Sequence, residues 1–135
     1  MAKTFMDSVR NAQERVPSIS PEELHDVWQD DPDMMVLDVR DEKDIRETYT
    51  LPGAAMISLG SLSYKADETL PKEFWDERLV NHKKKPVVVT CYMGPLGSLG
   101  ALELQEMGYD DVKYLEGGAH GWKEAGYEVA VFESE

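Results

Sequence analysis

The sequence predicts an α/β fold, with a mostly parallel central sheet flanked by helices on both faces. Two short apolar runs, residues 34–39 and 87–90, show no alternation of polar residues, which is typical of strands buried on both faces. Helical patterns separate such runs, and this order favours parallel strands joined by helical crossovers. A length of 135 residues suits one domain.

The first part of the chain predicts two helices. Residues 1–17 are predicted to form an N-terminal helical extension, and residues 18–135 the domain. Apolar residues recur at roughly helical spacing in the extension at Phe5, Val9, Ala12 and Val16. A second helix is predicted to begin after Ser20, with Pro21 at its first position and Glu23 completing a capping box. Its predicted buried stripe is Leu24, Val27 and Trp28.

The remainder continues the alternation. A charged helix over residues 41–48 precedes a short strand at 55–57, and residues 60–80 are predicted as a loop followed by a helix containing Phe74, Trp75 and Leu79. After the strand at 87–90 come a glycine-rich turn, a helix to about Met107 ended by Gly108, a strand at 112–115 and a short helix carrying Trp122. Trp75 and Trp122 are predicted to be core residues.

Composition excludes several classes of function. The net charge of -13 argues against nucleic acid and against anionic membranes as partners. The N-terminal residues hold no long apolar run, so we expect neither a secretory signal nor a membrane span. A single cysteine favours a reducing, cytoplasmic setting. The three histidines, His25, His82 and His120, are scattered, and we expect no metal and no cofactor.

Cys91 is the candidate reactive residue. It follows the strand at 87–90, and a turn containing Gly94 and Gly97 leads into the next helix. Ligands of parallel sheets bind at the carboxyl ends of strands, where loop N–H groups and a helix N-terminus stabilise a negative charge on sulfur. Pro95 removes one N–H donor from this turn. The alternative is an inert, buried thiol.

Several short motifs occur in a characteristic order: Leu37-Asp38-Val39-Arg40, Leu51-Pro52-Gly53-Ala54, Cys91-x-x-Gly94, Leu115-Glu116-Gly117-Gly118, Gly121-Trp122 and Gly126-Tyr127-Glu128-Val129. Through these motifs, residues 18–129 resemble the rhodanese superfamily. The resemblance implies a sulfurtransferase in which Cys91 carries a persulfide, within a six-residue active loop over residues 91–96. The predicted catalytic residue is Cys91, and the predicted active-loop residues are Tyr92, Met93, Gly94, Pro95, Leu96 and Gly97.

The chain departs from the family pattern in its loop. Family members that use thiosulfate usually close the loop with a basic residue, whereas Leu96 stands here and the loop contains no cation. Tyr49-Thr50 also replaces the family's Gly-His pair. We therefore expect a small-molecule or protein persulfide as donor, rather than thiosulfate. Expected acceptors are cyanide or a thiol such as glutathione or thioredoxin. Related cysteine phosphatases need an arginine at position 97, where this chain has glycine, so phosphatase activity is not expected.

Further residues have two interpretations each. Asp38 and Arg40, predicted to reach the surface, are interpreted as a structural ion pair and as a possible border of the site. Met93 and Leu96 form either an apolar rim that selects a less charged donor or ordinary loop packing. Residues 83–85 are three lysines that form either a solvated turn or a positive patch for an anionic donor. A degenerate loop also leaves a second functional class, a catalytically weak or inactive module for protein binding or sulfur sensing.

Overall fold

Five parallel strands form the central sheet in the computed structural model, which describes residues 2–132. The strands are β1 (Ser18–Ile19), β2 (Met35–Asp38), β3 (Ala55–Met56), β4 (Val87–Thr90) and β5 (Val112–Leu115). Their order across the sheet is β1-β5-β4-β2-β3. The register pairs Leu37 with Val89 and Asp38 with Thr90, so β2 and β4 end side by side at the carboxyl edge.

Helices cover both faces of the sheet. They are α1 (Phe5–Arg15), α2 (Pro21–Asp30), α3 (Glu42–Glu47), α4 (Leu59–Lys65), α5 (Glu77–Val80), α6 (Pro95–Glu106) and α7 (Gly118–Glu124), with a 3-10 turn at Lys72–Phe74. One apolar cluster joins α1, α4, α5 and α6 to the sheet, and a second joins α2 and α7 to its other face. The predicted fold class is therefore confirmed.

The two N-terminal helices begin and end close to their predicted bounds. The Ser20 side chain accepts the Glu23 N–H and the Glu23 carboxylate accepts the Ser20 N–H, as the capping box predicts. The prediction that Val27 is buried is wrong, because Val27 is 43% exposed, and Phe5 of the helical pattern is 53% exposed. Val27 borders an open groove beside β1, and Phe5 lies in the exposed first turn of α1.

The segment over residues 60–80 differs most from its prediction. It contains α4, where the sequence predicts a loop. Trp75 follows the 3-10 turn and lies outside both core clusters, so its prediction as a core residue is wrong. Phe74 is exposed, while Leu79 is fully buried. The glycine and serines of α4 are weak helix formers, and the helix is stabilised by packing its buried Leu62 toward α6.

Close packing of α6 against the sheet positions the turn that contains Cys91. A Cβ atom at Gly97 would lie 3.1 Å from the Val89 carbonyl oxygen, and one at Gly100 would lie 3.0 Å from a Val89 methyl group. The helix can approach β4 only because these positions lack side chains. Within residues 2–132, each helix is too short or too polar to span a bilayer.

Candidate active site

Cys91 lies directly after β4, at the carboxyl edge of the sheet, and it is 2% exposed. The Gly94 N–H donates a hydrogen bond to Cys91 Sγ at 3.1 Å. Gly94 has a φ of 121°, which places it in a region of backbone conformation that favours glycine. The turn after Cys91 therefore folds back so that a backbone amide points at the sulfur.

Helix α6 begins at Pro95, directly after this turn, and spans 12 residues. Its positive N-terminal end and the Gly94 amide both favour a negative charge on Sγ. No side chain between Tyr92 and Gly97 carries a charge. A thiolate or persulfide anion at this position is thus stabilised by backbone dipoles alone within the loop.

Helix α7 fixes the backbone of the same loop from the other side. The N–H groups of Ala119 and His120 donate to the carbonyl oxygens of Cys91 and Tyr92, each at 2.8 Å. A Cβ atom at Gly118 would lie 2.6 Å from the Cys91 carbonyl oxygen, and the φ of Gly118 is 61°. Gly118 was predicted only as part of a family motif, because nothing local in the sequence links it to residue 91.

Asp38 and Arg40 are buried rather than exposed, contrary to the prediction that β2 reaches the surface there. The guanidinium of Arg40 binds both Asp38 carboxylate oxygens, and it also donates to the Thr48 hydroxyl and to the Tyr49 carbonyl oxygen. The Thr50 hydroxyl donates to Asp38 as well. The two charges are buried because each is satisfied by the other and by these neighbours.

An aromatic cluster covers this ion pair. The Arg40 guanidinium lies 5.5 Å from the centre of the Tyr92 ring, and the Tyr49 hydroxyl lies 3.4 Å from that of Tyr92. His120 Nδ1 is 3.5 Å from the Tyr49 hydroxyl. Burial, followed by the hydrogen bond to Tyr92, raises the pKa of Tyr49 to about 12. Tyr49 therefore remains a neutral hydroxyl at physiological pH.

The two apolar loop residues differ in their surroundings. Met93 is 57% exposed, whereas Leu96 is partly buried against the apolar cluster that also contains Cys91. Met93 is thus free to contact an incoming molecule, and Leu96 contributes to packing.

The three lysines at positions 83–85 precede β4 and so lie at the opposite edge of the sheet from Cys91. Lys83 pairs with Glu68 at 2.8 Å and Lys84 pairs with Asp110 at 3.4 Å. Their interpretation as a positive patch beside the site is therefore wrong.

The three histidines have different neighbours, since His25 stacks on Tyr127 at 4.3 Å and His120 lies beside the Tyr49 hydroxyl. His82 is buried, with its ring nitrogens 2.7 Å and 2.9 Å from two backbone carbonyl oxygens. Across residues 2–132, no group of three acidic, histidine or cysteine side chains could hold a metal ion.

Gly97 occupies the position where a cysteine phosphatase needs its arginine. A Cβ atom there would lie 3.1–3.2 Å from the backbone of Val89 and Thr90. A long side chain at this position would require α6 to move away from β4. The loop therefore lacks the phosphate-binding cation, and a side chain at position 97 would press on the end of β4.

Comparisons with known proteins agree with this geometry. The model of the rhodanese-like domain family matches residues 20–125. The thiosulfate sulfurtransferase GlpE of Actinobacillus succinogenes is 36% identical over 108 residues, which are 80% of this chain and 85% of that protein.

Two solved structures share the fold. The polysulfide-sulfur transferase homodimer of Wolinella succinogenes is 26% identical and superposes with a TM-score of 0.69, covering 97% of this chain and 89% of that one. A Rhodopseudomonas palustris protein of unknown function, described as a possible tyrosine phosphatase, has a TM-score of 0.83 and covers 96% of both chains. At 23% identity, this second similarity shows the fold alone.

The named relatives support a rhodanese-like sulfurtransferase activity. The family model spans most of the sequence, and its match includes the strand, the cysteine and the loop described above. This chain belongs to the rhodanese-like domain family.

Proposed function

We propose that this protein transfers sulfane sulfur, which it carries as a persulfide on Cys91. The observation that supports this most strongly is the position of Cys91 Sγ, at the end of β4 and 3.1 Å from the Gly94 amide nitrogen. A terminal sulfur anion bound to Cys91 would meet the same backbone dipoles. The relatives' activities, thiosulfate sulfurtransferase and polysulfide-sulfur transferase, use sulfur donors of this general kind.

The reaction is a double displacement. The Cys91 thiolate attacks the outer sulfur of a persulfide R–S–SH, so that a new S–S bond forms between Cys91 Sγ and that sulfur while the donor's own S–S bond breaks. The carrier leaves as the thiolate R–S⁻, and the proton stays on the transferred sulfur or passes to water. An acceptor thiolate or cyanide then attacks the same outer sulfur and regenerates the Cys91 thiolate.

The donor that fits the loop best is a small-molecule or protein persulfide. Thiosulfate carries two negative charges, and the loop offers it no cation, in a protein of net charge -13. A persulfide presents one slender terminal sulfur, which suits a thiol that is 2% exposed. The names of the relatives mention two donors, thiosulfate and polysulfide. We propose that the uncharged loop of this chain favours a persulfide over thiosulfate.

The acceptor must come from outside the chain, because Cys91 is the only cysteine. We propose a thiol such as glutathione or thioredoxin, with cyanide as a laboratory acceptor. The lone cysteine also favours a reducing, cytoplasmic setting.

Intact-mass measurement tests this function directly. The protein is incubated with a persulfide donor, the excess donor is removed, and the mass is recorded before and after addition of cyanide. We expect a gain of one sulfur atom that cyanide removes, and no gain in Cys91→Ser. A matched control is Ser98→Ala, which changes a nearby buried side chain and leaves the thiol in place.

The absence of a cation in the loop also favours a second candidate, a catalytically inactive module for protein binding or sulfur sensing. Such a module would show no gain of sulfur with a persulfide, a polysulfide or thiosulfate. That result would contradict the sulfurtransferase proposal.

A further inference from the structure

We propose that a cavity beside the active loop binds the amino-acid end of the thiol or persulfide carrier, by recognising its ammonium and carboxylate groups together. The cavity measures about 260 Å³ and is lined by Arg40, Asp41, Glu42, Met56, Ser58, Ser61 and Lys65. This inference rests on the proposed sulfur transfer and adds the chemical class of the carrier.

The cavity and the thiol lie at the same edge and on the same face of the sheet. The Val39 N–H donates to the Thr90 carbonyl oxygen, directly before Cys91, and the Leu59 N–H donates to the Val39 carbonyl oxygen. Cys91 also shares an apolar cluster with Leu62 of α4. Adjacent strands are about 4.8 Å apart, so the ends of β2 and β3, which border the cavity, lie about 4.8 Å and roughly 10 Å from the end of β4. A carrier the size of an amino acid or a small peptide spans that distance.

Opposite charges without partners face this cavity from two elements. Lys65 is half-buried, and among residues 2–132 its ammonium group forms no ion pair. Asp41 is exposed at the N-cap position of α3, and its carboxylate accepts no hydrogen bond from the described chain. The two side chains form no ion pair with each other although both line the cavity. A ligand that carries both charges can satisfy both residues at once.

Hydrogen-bond donors accompany the two charges. Arg40 has five N–H groups, and its contacts with Asp38, Thr48 and Tyr49 use four of them. The fifth, on Nη1, has no acceptor in the described part of the chain, although Arg40 is only 6% exposed and lines the cavity. On the same wall the hydroxyls of Ser58 and Ser61 hydrogen-bond to each other at 2.9 Å, and Ser61 also lies 3.1 Å from the Ser58 carbonyl oxygen, so one of the two hydroxyl protons can turn to a ligand. These groups suit a carboxylate beside Lys65.

Because residues of both charges line the cavity, it favours a zwitterion over a simple anion or a simple cation. A simple anion would be attracted by Lys65 and repelled by Asp41 and Glu42, although Glu42 is partly neutralised by Arg46 at 3.2 Å. A simple cation would meet Lys65 and Arg40. An α-amino acid presents an ammonium and a carboxylate on adjacent atoms, so it can match the two walls.

The test measures how fast Cys91 gains sulfur from two donors over a range of donor concentrations. One is cysteine persulfide, and the other is 2-hydroxyethyl persulfide, which lacks both the ammonium and the carboxylate. The variants are Lys65→Met, which removes the ammonium, and Asp41→Asn, which removes the carboxylate charge. Lys84→Met is the matched control, because Lys84 is exposed and precedes β4 at the opposite edge of the sheet. Thermal unfolding of each variant verifies that it is folded.

We expect Lys65→Met and Asp41→Asn each to raise the KM for cysteine persulfide about five-fold, as for a partly exposed charge interaction, with little change in kcat. Loading from 2-hydroxyethyl persulfide should be unchanged, and Lys84→Met should resemble the wild type with both donors. The cavity proposal would be wrong if Lys65→Met slowed loading from both donors equally, or if it had no more effect than Lys84→Met. The proposed sulfur transfer would be unaffected by either result. Failure of the wild type to gain sulfur from either donor would overturn both proposals.

Discussion

The neighbouring ends of β2 and β4 differ in charge: a buried ion pair lies at one, and an uncharged loop lies at the other. At the end of β2, Arg40 is buried and most of its N–H groups bind Asp38, Thr48 and Tyr49. At the end of β4, Cys91 faces an uncharged loop whose one hydrogen bond to Sγ in the described structure comes from the Gly94 backbone. An arginine at the strand end next to a thiol is therefore no proof that the thiol lies in an anion site, because the arginine's hydrogen-bond partners decide what it can bind.

The largest effect is expected at the buried ion pair. Arg40→Met removes the partner of a fully buried carboxylate, and we expect the free energy of unfolding to fall by about 4 kcal/mol. Denaturant unfolding measures this change. The double variant Asp38→Asn with Arg40→Met removes both charges and should recover part of the loss. A loss below about 1 kcal/mol in Arg40→Met would contradict the structural role of the pair.

The next effect is expected where α7 meets the loop. Gly118→Ala places a Cβ atom against the backbone of Cys91 and Tyr92, and we expect a loss of about 3 kcal/mol in unfolding free energy. Sulfur loading of Cys91 should slow as well, since the loop backbone must shift. Gly108→Ala is the control, because Gly108 also has a positive φ but has nothing within 4 Å of the added atom. Gly108→Ala should lower the unfolding free energy by only about 1 kcal/mol and leave sulfur loading of Cys91 unchanged. Equal results for the two variants would contradict the role of Gly118 in fixing the loop backbone.

The smallest effect is expected at Glu103 of α6, a half-buried carboxylate that, unlike Asp38, forms no ion pair within residues 2–132. Burial raises its pKa above the ordinary value. The folded state thus holds the proton more tightly than the unfolded chain, so stability falls as the pH rises between the two pKa values.

Glu103→Gln removes this charge and should raise the melting temperature slightly at neutral pH. The gain should shrink as the pH falls through the ordinary glutamate pKa and disappear well below about pH 4, where the acid is protonated in both states. Glu73→Gln, at an exposed position, should show no such gain. A melting temperature for Glu103→Gln that is lower than wild type at neutral pH would contradict the assigned cause.

Much of the fold was predictable because its signals are local. The apolar run at Val87–Thr90, the capping box at Ser20 and the glycine at position 108 each specify an element through neighbouring residues. The prediction of α4 failed because its sequence is a poor helix former, and its helix is stabilised by contacts with α6. Strand β1 was missed because two residues carry no periodicity.

The site was predictable only in part, for a similar reason. Cys91 and its loop are contiguous, so the sequence and the family resemblance identify them together. The contact of Gly118 with the loop backbone, and the cavity that Ser58 and Lys65 line, form between segments that meet only in the folded chain. The burial of Asp38 and Arg40 likewise depends on Thr48, Tyr49 and Thr50, which close over the pair.

The most direct test of the central claim is the donor preference of the wild-type protein, measured as kcat/KM for a persulfide and for thiosulfate with cyanide as acceptor. We predict a higher value for the persulfide, because the loop stabilises sulfur with backbone dipoles and supplies no cation. Leu96→Arg should raise kcat/KM for thiosulfate about tenfold, equivalent to ~1.4 kcal/mol, relative to the uncharged control Leu96→Gln. A wild-type kcat/KM clearly higher for thiosulfate than for the persulfide would contradict the account.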